Sequence, residues 1–144
     1  MPDVDMRRMT AFDTDDMLYG ILTADTTLSA ISGGIYVHQR PDDSTEEDIV
    51  VNTLAITREM PATATANINI HVPDIALTFR GRKQYKMNRE RLRTITNQVL
   101  SMLDTAIREG VALKVTNQNI IEEGSTHQHY MNLRVEFNIQ KEIN

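Results

Sequence analysis

Residues 64–72 read ATANINIHV, and the fold turns on this stretch. Ile68, Ile70 and Val72 alternate with Asn67, Asn69 and His71. Successive side chains of a β-strand point to opposite faces, so this period of two puts the apolar residues on one side and the polar ones on the other. The spacing predicts a half-buried strand with one dry face. Pro73 has no N–H to give a ladder and ends it.

The same alternation returns near the end of the chain. Met131, Leu133, Val135, Phe137 and Ile139 face one way in the stretch 127–140, and Tyr130, Asn132, Arg134, Glu136 and Asn138 the other. Val111 to Ile121 precedes it as a further strand, joined by the turn Glu122-Glu123-Gly124-Ser125. Between the two alternating regions the period changes. Leu92, Ile95, Val99, Leu103 and Ile107 form a helical stripe, widened by Met102 and Ala106. Asn88 is a fitting N-cap and Gly110 a fitting C′ residue, so the expected helix runs from there to Glu109.

Upstream, Ile35 to Gln39 and Asp48 to Thr57 read as strands. The second has Ile49, Val50, Val51, Leu54 and Ile56 on both faces, which predicts a central position. A short helix is expected from the acids Asp13, Asp15 and Asp16 to about Ala24, followed by a turn carrying Leu28 and Ile31 and closed by Gly33-Gly34. Residues 1–11 read as a flexible arm, and 74–88 as an extended basic arm or loop. The whole is one α+β domain over 1–144: a mainly antiparallel sheet of about five strands, with one long helix packed across it and a short N-terminal helix.

Composition narrows the function. Without cysteine there are no disulfides, thiolate metal sites or cysteine nucleophile. No apolar run reaches the ~20 residues of a membrane span, and no signal-like stretch opens the chain. A net charge of −5 argues against a dedicated nucleic-acid binder. There is no G-x-S-x-G, P-loop or G-x-G-x-x-G element. His127 and His129 form an H-x-H pair near Glu122, Glu123 and His71, which suits either a metal site or the polar mouth of a hairpin. The expectation is therefore no catalytic residue, no cofactor and no metal.

Charge is segregated. Five acids (Asp42, Asp43, Glu46, Glu47 and Asp48) lie within seven residues, and seven of the 15 Lys and Arg lie between Arg80 and Arg93. Arg89, Arg91 and Arg93 open the long helix, where positive charge opposes the dipole unless a negative group is close. That group is either phosphate or the acidic loop. Docking of the loop (Asp42, Asp43, Glu46, Glu47) on a neighbour's basic residues (Arg80, Arg82, Lys83, Lys86, Arg89) would steer assembly. A simply solvated loop is the other reading. The polar face Asn67, Asn69, His71 suits contact with another protein.

The layout resembles the tail-terminator and tail-completion proteins of bacteriophages. The likeness lies in the helix from Asp15 to Ile31 leading into GGIYVHQRP, in EEDIVVNTLAI followed by ATANINIHVPD, in RERLRTITNQVLSMLDTAI, and in the closing NLRVEFNIQ. It implies a structural virion protein at the neck or tail end, forming a ring of six or twelve copies. Such a ring would contact portal, connector or neck proteins and the tail-tube protein. DNA would meet it only in passing through the lumen, and no membrane is involved. The implied location is the virion, after assembly in the host cytoplasm. Two other classes stay open: a small adaptor that binds one partner through a sheet edge, and a histidine-based metal enzyme.

Overall fold

The computed structural model describes residues 9–140. It is an α+β fold with two helices, a five-stranded sheet and a separate two-stranded sheet. Helix α1 (Ala11–Leu22) is followed by strands β1 (Ile35–Val37), β2 (Asp48–Ile56), β3 (Ala62–Pro73), β4 (Ile75–Phe79) and β5 (Arg82–Lys86). Helix α2 (Arg89–Thr105), β6 (Val111–Glu123) and β7 (Gln128–Ile139) complete the chain.

The large sheet runs β1-β2-β3-β7-β6 and is antiparallel except for the short β1–β2 pair. The two alternating stretches of sequence become its centre, with Ile68 opposite Leu133 and Ile70 opposite Met131. Their apolar sides form the core together with Leu92, Ile95, Val99 and Leu103 of α2 and Leu18, Ile21 and Leu22 of α1. Each such side chain, taken fully from water, contributes ~1.5–3 kcal/mol. Both helices lie on this face, α1 against β1 and β2, α2 against β3, β6 and β7.

Four expectations need correction. β2 is second from the edge, not central. Its double-sided burial is confined to its first half, where the loop 40–47 folds over the other face: Arg40 and Ser44 reach Asp48 and the fully buried Gln128. β1 stops at Val37, before His38 turns to positive φ. α2 ends at Thr105 rather than Glu109. Ala106 is extended, Ile107 is 86% exposed, and Gly110 sits in the turn that brings Arg108 against Val111. The basic stretch 74–88 is a β-hairpin of its own, β4 with β5.

The expected N-terminal arm, 1–11, lies mostly outside the described residues. Met9 is buried, and Thr10 precedes α1 with its backbone N–H bonded to the Asp13 carboxylate at 2.7 Å. That is half of a capping box. α1 is fixed further by two residues inside it. Asp15, 1% exposed, accepts the Thr53 N–H at 2.6 Å and bonds His38 Nε2 at 2.6 Å, and the Thr14 and Thr53 hydroxyls meet at 2.6 Å. Thr53 sits where β2 bulges, and Asp15 takes up its backbone donor there.

Candidate functional site

The feature that stands apart from the core is the hairpin. β3 runs through Pro73 and Asp74 into β4, so the hairpin projects from the end of the main sheet. Its turn is Arg80-Gly81, both at positive φ, the two-residue loop that matches strand twist. In register, Ile75 faces Lys86, Leu77 faces Gln84 and Phe79 faces Arg82, which puts all six on one side. Ile75, Leu77 and Phe79 are 42%, 48% and 57% exposed. On the other side Tyr85 stacks on His127, ring centroids 3.6 Å apart, and Lys83 Nζ lies 5.4 Å from the Tyr85 ring. Arg80 lies over Phe79 at 5.2 Å. Among the described residues none of Arg80, Arg82, Lys83 or Lys86 makes an ion pair with a carboxylate.

The basic residues that open α2 divide by helical geometry. Arg91 turns toward β2 and clamps Glu47 through two bonds, Nε–Oε2 2.7 Å and Nη2–Oε1 2.9 Å, and also donates to the Ala30 carbonyl. Arg91 holds the Glu47 carboxyl below the usual range, and Glu47 raises the Arg91 guanidinium. The negative group that the helix start calls for is thus supplied by the acidic loop of the same chain. Arg89 and Arg93, one turn apart, point the other way. They rim a cleft of about 340 Å³ between α2 and β6, floored by Leu92, Leu100, Ile120 and Met131. The buried Thr96 hydroxyl at this cleft has no hydrogen-bond partner among the described residues.

The acidic loop divides in the same way. Glu47 is engaged by Arg91 and by the Ser32 N–H. Asp48, 1% exposed, accepts from Gly34 N, Arg40 Nη1 and Ser44 Oγ at 3.0, 3.1 and 2.5 Å. Gly33 makes this possible, because a Cβ there would lie 1.9 Å from Asp48 Oδ1. Asp42, Asp43 and Glu46 stay exposed, with no ion pair among the described residues.

The polar sheet face is knit together internally. Asn132 Nδ2 donates to Asn69 Oδ1 at 2.7 Å, and Arg134 Nε to Asn67 Oδ1 at 2.9 Å. Asn52, Asn117 and Asn119 extend the same rows. His71 departs from the expected contact face: it is buried, against Tyr130, with Nδ1 3.3 Å from Glu123 Oε1 but without hydrogen-bond geometry. Burial, and then the nearby Arg40 charge, push His71 down to about 4, with Asp48 opposing.

The H-x-H pair is split. His127 lies in the turn at positive φ, and only His129 is on β7, where it bonds Asp74 at 2.7 Å and lies 3.8 Å from Glu122. Among the described residues no three His, Asp or Glu side chains are grouped to hold a metal ion. No helix of the described residues is long and apolar enough to cross a membrane. Sequence reasoning placed charge in the hairpin but missed its apolar face, although Ile75, Leu77 and Phe79 alternate with Ala76 and Thr78. It also missed the two exposed aromatics of α1, Phe12 and Tyr19. No known family model matches the chain, and no curated protein matches it.

Proposed function

We propose that this chain is a non-enzymatic structural subunit that assembles with copies of itself, as a ring at the neck or tail end of a bacteriophage. One observation carries the assembly reading. A two-stranded hairpin is marginal in water on its own, yet here one stands out from the sheet with an apolar face and unpaired cations. Exposed apolar side chains gathered on one projecting face mark a docking surface. The ring and the phage neck come from the order of elements, which resembles tail-terminator and tail-completion proteins. On this reading the portal, connector or neck proteins and the tail tube are the other partners. The protein resides in the virion after assembly in the host cytoplasm, and the net charge of −5 suits a ring through which DNA passes without being gripped.

Native mass spectrometry tests the reading, with a closed ring of six or twelve copies as the expected result. A strict monomer, both alone and mixed with tail-tube protein, overturns it. A second reading, an adaptor that binds one partner by strand addition, draws on the free outer edge of β6, thirteen residues long and largely exposed. It predicts a one-to-one complex and no self-assembly.

A further inference from the structure

The surface that receives the hairpin has to meet two demands. It must cover Ile75, Leu77 and Phe79, and it must bring negative charge to Arg82 and Lys86, which stand on the same side opposite Phe79 and Ile75. The acidic loop offers charge without apolar cover, since residues 42–46 read DDSTE. The cleft beside α2 offers apolar cover but is rimmed by Arg89 and Arg93, which repel the hairpin's cations. The open sheet face is polar and carries the Arg134 cation, which already bonds Asn67, while Asn132 bonds Asn69.

One surface meets both demands. Phe12, Asp16 and Tyr19 follow each other at i, i+4 and i+7 and so form a single stripe along α1. Phe12 is 74% exposed and Tyr19 40%, and Asp16 between them is exposed with no ion pair among the described residues. This stripe faces away from Leu18, Ile21 and Leu22, which α1 buries in the core. Two aromatic anchors with a carboxylate between them match an apolar hairpin face flanked by two cations.

We propose that the hairpin of one copy seats its Ile75, Leu77 and Phe79 face on the Phe12–Asp16–Tyr19 stripe of a second copy. The inference rests on the self-assembly reading above and names the two surfaces that carry it. Within one chain the hairpin and α1 are not packed together. Every copy carries both halves, so the contact is heterologous: it runs head to tail and closes into a ring when the rotation between neighbours permits. Aromatic anchors that become fully desolvated dominate such contacts. Phe79→Ala therefore weakens association by roughly tenfold to a hundredfold, and Asp16→Lys opposes it by charge.

The cysteine-free chain makes the test direct. Thr78→Cys and Thr23→Cys are introduced into the same chain, both at exposed positions beside the docking surfaces and not among their apolar anchors, and treated with a short bismaleimide. A head-to-tail ladder of covalent oligomers is expected, and adding Phe79→Asp should abolish it without changing the circular dichroism spectrum. Absence of the ladder while native mass spectrometry still shows the wild-type assembly overturns this docking and leaves the assembly reading standing. A wild-type chain that is strictly monomeric both alone and mixed with tail-tube protein overturns both. Dissolution of the assembly by Asp42→Lys, Asp43→Lys and Glu46→Lys together, with Asp16→Lys harmless, assigns the receiving surface to the acidic loop and also overturns the proposal.

Discussion

Replacing Gly33 by alanine probes how the acidic loop is held. The Gly33 N–H donates to the Glu47 carbonyl at 2.9 Å, and the next N–H, of Gly34, donates to Asp48 at 3.0 Å. A methyl on Gly33 would stand 1.9 Å from Asp48 Oδ1 and 2.6 Å from the Glu47 carbonyl oxygen. The second of these is backbone and cannot rotate away, so the segment 32–34 must part from 47–48. A hydrogen bond to a charged acceptor is worth ~1.5–3 kcal/mol and a neutral one ~0.5–1.5 kcal/mol, so losing one of each costs about 3 kcal/mol. Displacing Asp48 then also disturbs Arg40 and Ser44, which tie the loop to Gln128. Urea denaturation should show the loss as a lower midpoint at unchanged slope, and the melting temperature should fall by ~2–4 °C per kcal/mol for a chain of this size. Gly20→Ala in α1 is the control. Nothing lies within 4 Å of a Cβ there, and alanine in a helix interior gains up to ~1 kcal/mol over glycine. A Gly33→Ala protein within about 1 kcal/mol of wild type would refute the reasoning, because the contact would then have an inexpensive way to relax.

Three further outcomes are expected. Ile68→Ala, at a fully buried position facing Leu133, should cost ~2–5 kcal/mol in urea melts as a cavity opens at the centre of the sheet. Asn88→Ala removes the acceptor of the Arg91 N–H at 3.2 Å and should lower stability by ~1 kcal/mol. His71 is held neutral, pushed down to about 4 from 6.5. The stability it contributes is full above pH 6.5 and is lost as pH falls through about 4. Melts across pH 7 to 4 should accordingly show wild type losing more stability than His71→Gln, and parallel profiles for the two would count against the assignment.

The parts of the fold legible in the sequence were those with one unbroken period. Residues 131–139 alternate without exception, and Leu92, Ile95, Val99 and Leu103 keep the helical interval, so the central strands and α2 could be read directly. Ile107 continues that interval, yet the helix ends before it. The chain has to turn at 106–110 to bring Val111 alongside β7, and local periodicity cannot foresee that demand. The hairpin was hidden for a related reason. Its turn is Arg80-Gly81, with an arginine in a left-handed conformation where asparagine or aspartate would have advertised the bend. Buried acids were unreadable too. Asp15 looks like a charge placed for the helix dipole, and Asp48 like one more member of an acidic loop. Each instead satisfies a backbone N–H from a distant segment, Thr53 in one case and Gly34 in the other.

The two charged stretches illustrate why segregation in sequence does not translate directly into an interface. Glu47 and Arg91, one member of each, cancel within the chain, so the pair helps hold loop 40–47 against α2 and is not available to a neighbour. What is left over is set by position on the fold: cations on the hairpin, arginines at the cleft, acids on the loop and on α1. Charges of this kind steer and orient, but exposed pairs bring little affinity. Affinity has to come from apolar surface, and its placement is not random. Four of the chain's seven aromatic residues are exposed, and they fall on two elements, Phe12 and Tyr19 on α1, Phe79 and Tyr85 on the hairpin. The core is filled almost wholly by aliphatic side chains, with Phe137 as its one aromatic. Scattered single exposures would require no explanation. Phe12, Tyr19 and Phe79, kept out of the core on two surfaces of opposite charge, do, and the docking proposed between copies would account for all three, while Tyr85 on the hairpin's other side is held by its stack on His127.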